Sequence, residues 1–328
     1  MIIRKLNFLD ADGDSLFLFG ARQTGKTTLL KQLFPQSRYY DLLKSDEYER
    51  LSRSPKLLRE ELQDCPEGTL IIIDEVQKLP ILLDEVHWLM TNCELRFILT
   101  GSSARKLRRG GVNLLGGRAL LYNFYPLVSD ELGDEFDIDR AVNNGMIPRH
   151  YLVQDATRRL GGYVGLYLQA EISQEAVVRN LPSFNRFLEA AALTSGEMLV
   201  YSNIAADCGI SSVTVKAYFE LLVDTLFGYF VPAYTKTVKR KLIQAPKFYL
   251  FDVGVTNYLL HRGLQTTTIG SATARMLTSD YRQVLCGQPA MSARKNPKKS
   301  AATSHGAKQR RTQSIAGQLT NMVRRPPR

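Results

Sequence analysis

One stretch, Ser15 to Leu30 (SLFLFGARQTGKTTLL), constrains this chain more than any other. An apolar run, Leu16-Phe17-Leu18-Phe19, leads into Gly20-Ala21-Arg22-Gln23-Thr24-Gly25-Lys26-Thr27 and then into helix-forming residues from Thr28 onward. A buried strand, a glycine-rich turn and a helix, in that order, are what a phosphate-holding loop requires. Glycine at 20 and 25 lets the backbone curl with its N–H groups facing inward. Those groups and the positive end of the following helix suit the β-phosphate region of a nucleotide. Lys26 is placed to reach the β- and γ-phosphates, and Thr27 to offer its hydroxyl to Mg²⁺. Gly20, Ala21, Arg22, Gln23, Thr24, Gly25, Lys26, Thr27 and Thr28 are therefore the candidate nucleotide-binding set, with ATP and Mg²⁺ as the implied ligands. The bland alternative is a glycine-rich turn that merely starts a helix. Correct flanks on both sides and a second motif downstream argue against it.

That second motif is Gly68 to Gln77 (GTLIIIDEVQ). Its apolar run predicts a strand buried on both faces, as in a parallel sheet. Asp74 and Glu75 emerge at the C-terminal end, where open α/β sheets bind their ligands. Asp74 is a candidate metal residue, and Glu75 a candidate catalytic residue that orients or deprotonates an attacking water. The alternative is an acidic pair that simply ends a strand. Between the two motifs, Arg38 to Asp41 reads as a short strand and Ser45 to Leu62 as helix interrupted at Ser54-Pro55.

Ile81 to Thr91 has helical spacing, with Trp88 read as a packing residue. Leu95 to Ser103 is a further buried strand ending in polar residues. Thr100 and Ser102, with Ser103, are candidates for contact with a γ-phosphate or the lytic water; a helix N-cap by Ser102 or Ser103 is an equally good account. From Leu95 to Ser129 there is no acid, but Arg96, Arg105, Lys106, Arg108, Arg109 and Arg118 all fall there. Such a segment beside a nucleotide can supply an arginine that stabilises transition-state charge, from the same chain or a neighbouring one. Arg118, in Gly116-Gly117-Arg118 before the strand Ala119 to Phe124, is the preferred candidate. A solvated basic loop is the competing account.

These segments together resemble a known family. GARQTGKTTLL, LIIIDEVQKLP, FILTGSSARKL, LLGGRALLYNFYPL, YLQAEISQEAVVRNLPSFNRFLEAAAL and KFYLFDVGVTNYLL are similar to an uncharacterised prokaryotic family of AAA-type ATPases fused to a C-terminal domain of unknown function. The resemblance runs from about Ile3 to Gly263. It implies an AAA+ core with Lys26 and Thr27 as Walker A residues, Asp74 and Glu75 as Walker B, and Thr100 to Ser103 as a sensor-like strand end. Arg118 matches a recurrent Gly-Arg position of that family.

In the second half, Tyr163 to Asn180 and Phe184 to Leu193 have helical patterns separated by Leu181-Pro182-Ser183. Ser202 to Lys216 then reads as helix, tight turn at Gly209 and second helix, a helix-turn-helix pattern with small Ala205 at the crossing. Gly228 to Tyr234 and Lys247 to Phe251 read as the strands of a wing. The loop between them carries Lys236, Lys239, Arg240 and Lys241. One reading is double-stranded DNA binding, with those residues and Lys216 on the duplex. The other is a protein-contact module inside an AAA+ machine.

Charge separates the body from the tail. The net +11 is carried by residues 263–328, with twelve Lys and Arg against Asp280 alone, leaving 31 of the 43 basic and 31 of the 32 acidic residues in 1–262. A global argument for nucleic-acid binding from charge is thus excluded. The tail lacks the acidic, nuclease-like continuation that family members carry. It reads either as a basic, disordered arm or, the favoured reading, as out-of-frame translation after a frameshift near Gly263 that leaves a truncated ATPase. Cys65, Cys93, Cys208 and Cys286 are widely spaced with no C-x-x-C pair, so neither zinc nor a disulfide framework is suggested and reduced thiols in a cytoplasmic protein are expected. No apolar run is long enough for a membrane span.

The expected fold is α/β: a P-loop AAA+ parallel sheet with helices on both faces, followed by a helical and winged-helix domain and a disordered tail. The expected divisions are 1–132 for the ATPase domain, 133–195 for a helical linker or lid, 196–262 for the winged-helix part and 263–328 for the tail. The function expected is MgATP hydrolysis driving conformational change on DNA or a protein partner, in a chain able to form homo-oligomers. The alternatives are a nucleotide-gated DNA-binding switch with little turnover, or an inactive fragment.

Overall fold

The computed structural model describes residues 2–6, 13–103, 105, 107, 115–168, 178, 180–232 and 245–263. Two compact units divide the chain, residues 1–291 and 292–328, and every described residue belongs to the first. The tail and the loop carrying Lys236, Lys239, Arg240 and Lys241 lie outside the described residues.

Strands β1 (Ser15–Phe19), β2 (Arg38–Asp41), β3 (Leu70–Asp74), β4 (Arg96–Gly101) and β5 (Ala119–Asn123) form one sheet in the order β2-β3-β4-β1-β5, every pair parallel. Parallel neighbours require crossovers, and these are helical: α1 (Lys26–Leu33), α2 (Ser45–Arg53), α3 (Lys56–Leu62) and α4 (Leu82–Asn92). α2 and α3 are separate because Pro55 disfavours helical backbone at Ser54, whose φ and ψ are −148° and 84°.

Alternation along each strand assigns the two faces. Phe17, Phe19, Ile71, Ile73, Phe97 and Leu99 pack under α3 and α4 through Leu58, Leu62, Leu82, Leu83, Val86 and Leu89. Leu16, Leu18, Ile72, Ile98 and Tyr122 pack under Leu29 and Leu30 of α1. Truncating any one of these fully buried leucines to alanine removes about 2–5 kcal/mol.

The second half is built from α5 (Ser129–Leu132), α6 (Ile138–Asn144), α7 (Pro148–Tyr151), α8 (Thr157–Gly162) continuing into a π-helical stretch (Tyr163–Leu168), α9 (Leu181–Leu193), α10 (Tyr201–Cys208), α11 (Ser212–Asp224), β6 (Gly228–Val231), β7 (Lys247–Leu250) and α12 (Val253–Leu259). Leu181-Pro182-Ser183, read from sequence as a break between helices, is the first turn of α9. Asn180 caps it by accepting from the Ser183 N–H at 3.0 Å, and proline is harmless there because a first-turn N–H has no helical partner. Phe187, Phe219 and Phe248 join α9, α11 and β7, with ring centroids 4.8 and 4.7 Å apart.

α10 ends at Gly209 with φ 67°, the left-handed conformation glycine adopts without penalty, and α11 starts with Ser211 accepting from the Thr214 N–H at 3.1 Å. β6 and β7 pair antiparallel, and Met198 adds an isolated bridge to Lys247.

The two halves meet closely. Ala21, in the glycine-rich loop, belongs to the hydrophobic core of the second half together with Ile147, Leu160 and Phe184. The Leu127 N–H donates to the Met146 carbonyl at 2.8 Å. No helix among the described residues is long and apolar enough to cross a membrane.

Candidate nucleotide site

Because all five strands are parallel, their C-terminal ends share one edge, and there β1, β3 and β4 bring Gly20, Asp74 and Thr100 together. The chain leaves β1 at Phe19, curls through residues 20–25 and enters α1 at Lys26. Gly25 takes φ 96°, left-handed backbone that side-chain-bearing residues rarely adopt. Gly20 is required for a different reason: a Cβ there would lie 2.3 Å from the Phe124 carbonyl oxygen. The loop is stapled from within by the buried Thr24 hydroxyl, which donates to the Ala21 carbonyl at 2.8 Å. Lys26 is 6% exposed, and its ammonium donates to the carbonyls of Gly20 (2.6 Å) and Ala21 (3.1 Å).

Arg4 braces the loop from outside. Its guanidinium donates to the carbonyls of Thr24 (2.6 Å) and Tyr125 (2.7 Å), pairs with Glu131 (3.0 Å) and stacks over Phe124. Charge-assisted bonds of this kind are roughly twice as strong as neutral ones.

The carboxylate of Asp74 gathers three hydroxyls. Thr27 donates to Oδ2 at 2.7 Å, Tyr39 to the same oxygen at 2.5 Å, and Thr100 to Oδ1. Burial and the neighbouring Asp74 carboxylate push the Tyr39 phenol far above its ordinary range, so it acts here as a donor. The Thr27 hydroxyl and the Asp74 carboxylate are oxygen donors suited to Mg²⁺. Among the described residues no cluster of three or more His, Cys, Asp or Glu could hold a metal, so a cation here would complete its shell from phosphate oxygens and water.

Glu75 is 7% exposed and has φ 62°, unusual for a residue with a side chain and a feature that recurs at functional sites. Burial raises its pKa above the ordinary carboxylate value, against the opposing pull of Lys26. Gln77 holds it in place: the side-chain amide donates to Glu75 Oε2 and lies 3.2 Å from the Ser102 hydroxyl. A carboxylate so held, with its pKa raised by burial, is a better proton acceptor from water than an ordinary one.

A cavity of about 460 Å³ opens over these groups, lined by Arg22, Gln23, Gly25, Lys26, Thr27, Thr28, Leu43, Glu75, Pro148 and Arg149. The fold thus brings most of the sequence-selected set together, with Asp74 and Thr100 just beneath. Ser102 lies one layer back, on Gln77. Ser103 faces the second half, donating to the Asp224 carbonyl.

Arg118 is a correction for the same-chain reading. It precedes β5, so it sits at the N-terminal edge of the sheet, opposite the glycine-rich loop, where it contacts His87 and donates to Thr91 on α4 at 3.1 Å. Trp88, expected to pack, is partly exposed with Arg59 stacked over its ring. Lys216 lies on the exposed face of α11 beside Glu220 at 3.9 Å, next to Val213, which is 77% exposed.

Arg149, Gln77, Tyr39 and Arg4 escaped the sequence reading. Gln77 alone carried a local signal, a polar residue two positions after Glu75 in the short turn that follows the acidic pair. Arg149 arrives from more than 120 residues away, on an exposed position of α7.

A parallel sheet in this order, with a glycine-rich loop after β1 and an acidic pair after β3, defines the AAA+ class of P-loop proteins. Residues 12–133 match the AAA domain family, and residues 135–266 match a domain of unknown function (DUF8612). The chain is an AAA-type nucleotide-binding protein that joins an AAA domain to this C-terminal domain. Curated protein sequences give no match. Among solved structures it is similar to the Aeropyrum pernix ORC1 protein in complex with DNA, at 13% identity, TM-score 0.30, with 76% of this chain and 86% of that one covered. It is also similar to the replication initiator DnaA bound to AMPPCP and single-stranded DNA, at 15% identity, TM-score 0.34, with 68% and 90% covered. A signal-transduction ATPase with a tetratricopeptide repeat sensor from Pyrococcus horikoshii gives 13% identity, TM-score 0.28 and coverage of 88% and 46%. Likenesses this loose carry no information about function.

Proposed function

We propose that this chain binds MgATP in the loop between β1 and α1 and hydrolyses it, coupling turnover to a partner held by its second half. The observation that supports this most is the meeting of Lys26, Thr27 and Glu75 on one cavity, with Asp74 and Thr100 bonded behind Thr27. On a nucleotide's arrival Lys26 exchanges its carbonyl partners for phosphate oxygens, while the N–H groups of residues 20–25 and the start of α1 hold the β-phosphate. Thr27 and Asp74 would hold Mg²⁺, which when bound would neutralise phosphate charge. Glu75, held by Gln77, orients the attacking water and accepts its proton. Arg149, which lines the same cavity as Lys26, is a cation for the terminal phosphate. Arg118 can meet a nucleotide only across an interface between two copies of the chain.

The partner is read from α10 and α11 as a winged helix. α11 presents Ser212, Val213, Lys216 and Glu220, a face mixing apolar surface with paired charge, which supports protein contact over a DNA groove. A second reading, a nucleotide-gated switch with slow turnover, is favoured by the bond from Gln77 to Glu75, which takes up one of the two carboxylate oxygens and leaves only Oε1 for water.

Steady-state ATP turnover, with and without duplex DNA, tests these readings beside Lys26→Ala and Glu75→Gln. Both substitutions are expected to abolish turnover, lowering it by about 100-fold or more. A wild-type protein that binds ATP without turning it over leaves the switch. A DNA-dependent rise in rate would overturn the preference for a protein partner.

A further inference from the structure

Asp252, at the start of α12, is buried, and no cation pairs with it among the described residues. Its Oδ2 accepts from the Met146 N–H at 2.7 Å and its Oδ1 from the Val255 N–H at 2.9 Å, and the N–H groups of Ile147 and Gly254 also point to it. Burial of a carboxylate without a counter-charge is costly. The helix cap alone would not explain it, since serine or threonine caps α12 as well at far lower cost. What a carboxylate adds is acceptor capacity for two separate main-chain segments at once.

The second segment is the turn Gly145-Met146-Ile147, and the contact is close enough to exclude side chains. Gly145 has φ 77°, and a Cβ there would lie 2.1 Å from Asp252 Oδ1; a Cβ on Gly254 would lie 2.4 Å from the Gly145 nitrogen. One turn further along α12, the Asn257 amide donates to the Val142 carbonyl at 2.9 Å. On its other side the turn is fixed to the AAA domain by the Leu127 N–H on the Met146 carbonyl and by Ile147 packing in one core with Ala21. The next residues are Pro148 and Arg149, which line the nucleotide cavity.

We infer that Asp252 is a positioning residue for the nucleotide cavity: through the Met146-Ile147 turn it sets Arg149 over the terminal phosphate, and so gives the site its preference for a nucleoside triphosphate over a diphosphate. This rests on the nucleotide reading above. The C-terminal domain thereby becomes part of nucleotide selection rather than only a carrier of the partner-binding face. A diphosphate, lacking the group Arg149 faces, is indifferent to where that side chain stands.

The test is binding of fluorescent ATPγS and ADP to the full chain, for wild type, Arg149→Ala, Asp252→Asn and the double variant, in Mg²⁺. Each single variant is expected to weaken ATPγS by about 10-fold and leave ADP within about twofold, with the double variant no weaker than either single. Equal losses for both nucleotides, or losses that multiply in the double variant, overturn the inference. If Asp252→Asn does not fold, Asn257→Ala loosens the same helix by one bond. It should give a smaller loss confined to ATPγS, and a loss shared by ADP overturns the inference. An Arg149→Ala protein with unchanged ATPγS affinity sinks the inference alone. A wild-type chain that binds neither nucleotide sinks the nucleotide reading and the inference with it.

Discussion

Ser103 donates its hydroxyl to the main-chain carbonyl of Asp224, 3.0 Å away, at the last turn of α11. The same hydroxyl accepts from the Arg105 N–H at 3.0 Å, and the Arg105 guanidinium pairs with the Asp224 carboxylate. One residue back, Ser102 touches Gln77, which holds Glu75. The end of β4 therefore contacts both the catalytic candidate and the helix offered to a partner. Such spatial continuity suggests coupling, and variants must measure it.

Arg105→Ala and Asp224→Ala should each lower stability by about 1 kcal/mol, with the double variant costing little more than one. Steady-state kinetics should show a change in kcat with the KM for ATP nearly unchanged, because neither residue lines the cavity. Additive effects on kcat would mean that the pair is only a local strut.

Glu75→Gln should stabilise the protein at neutral pH while abolishing turnover. A carboxyl whose folded pKa is raised favours folding in its protonated form, and that contribution is lost as pH rises through the folded value. The gain in Tm should thus be present at pH 8 and vanish at acid pH, where wild type carries the proton too. Thermal melts across pH read this out, and a gain independent of pH would place its origin elsewhere.

His150 gives the opposite slope. Burial, with Arg159 and Arg149 adding repulsion, lowers its pKa from 6.5 to about 4. Between those values the unfolded chain binds the proton and the folded one does not, so stability falls as pH drops through that window. His150→Phe, which keeps the ring that meets Tyr163 edge-on, should flatten that part of the stability curve. Urea titrations at pH 7 and pH 5 decide it, and an unaltered slope in the variant would clear His150 of any part.

Gly20→Ala should cost about 2–4 kcal/mol and remove nucleotide binding, because the added methyl meets main chain that cannot rotate away. Gly117→Ala, at φ 82° with open space around its Cβ, is the control: backbone strain alone, about 1 kcal/mol, with binding retained. Denaturant midpoints and nucleotide titrations of the two variants separate close contact from strain.

Strands, loop and acidic pair were legible because each is written in consecutive residues: alternation, glycine spacing and an apolar run ending in carboxylates. Arg118 was open to its own chain's nucleotide or a neighbour's, and its position before a strand already implies the far edge of a parallel sheet, which removes the same-chain choice. Pro182 was read as a break because proline stops a helix and starts one with the same residue, and only Asn180 beside it tells which. Arg149, Arg4 and Asp252 could not be found this way. Each acts on main chain or cavity far from it in sequence, and no local pattern encodes that distance.

The burial of Ala21 in the core of the second half bears on how such chains can change over time. Two sequence families meet at about residue 134, which invites the idea of exchangeable parts. The molecule has no seam there: a phosphate-loop residue, the Arg22 carbonyl facing Tyr163, and Ser103 with Arg105 all belong to surfaces completed by the other family's residues. A chimera joining the AAA domain of one relative to the C-terminal domain of another would inherit both folds but a mismatched boundary, and the mismatch would fall on the nucleotide loop. A substitution at position 21 is thus answerable to Ile147, Leu160 and Phe184 rather than to phosphate alone.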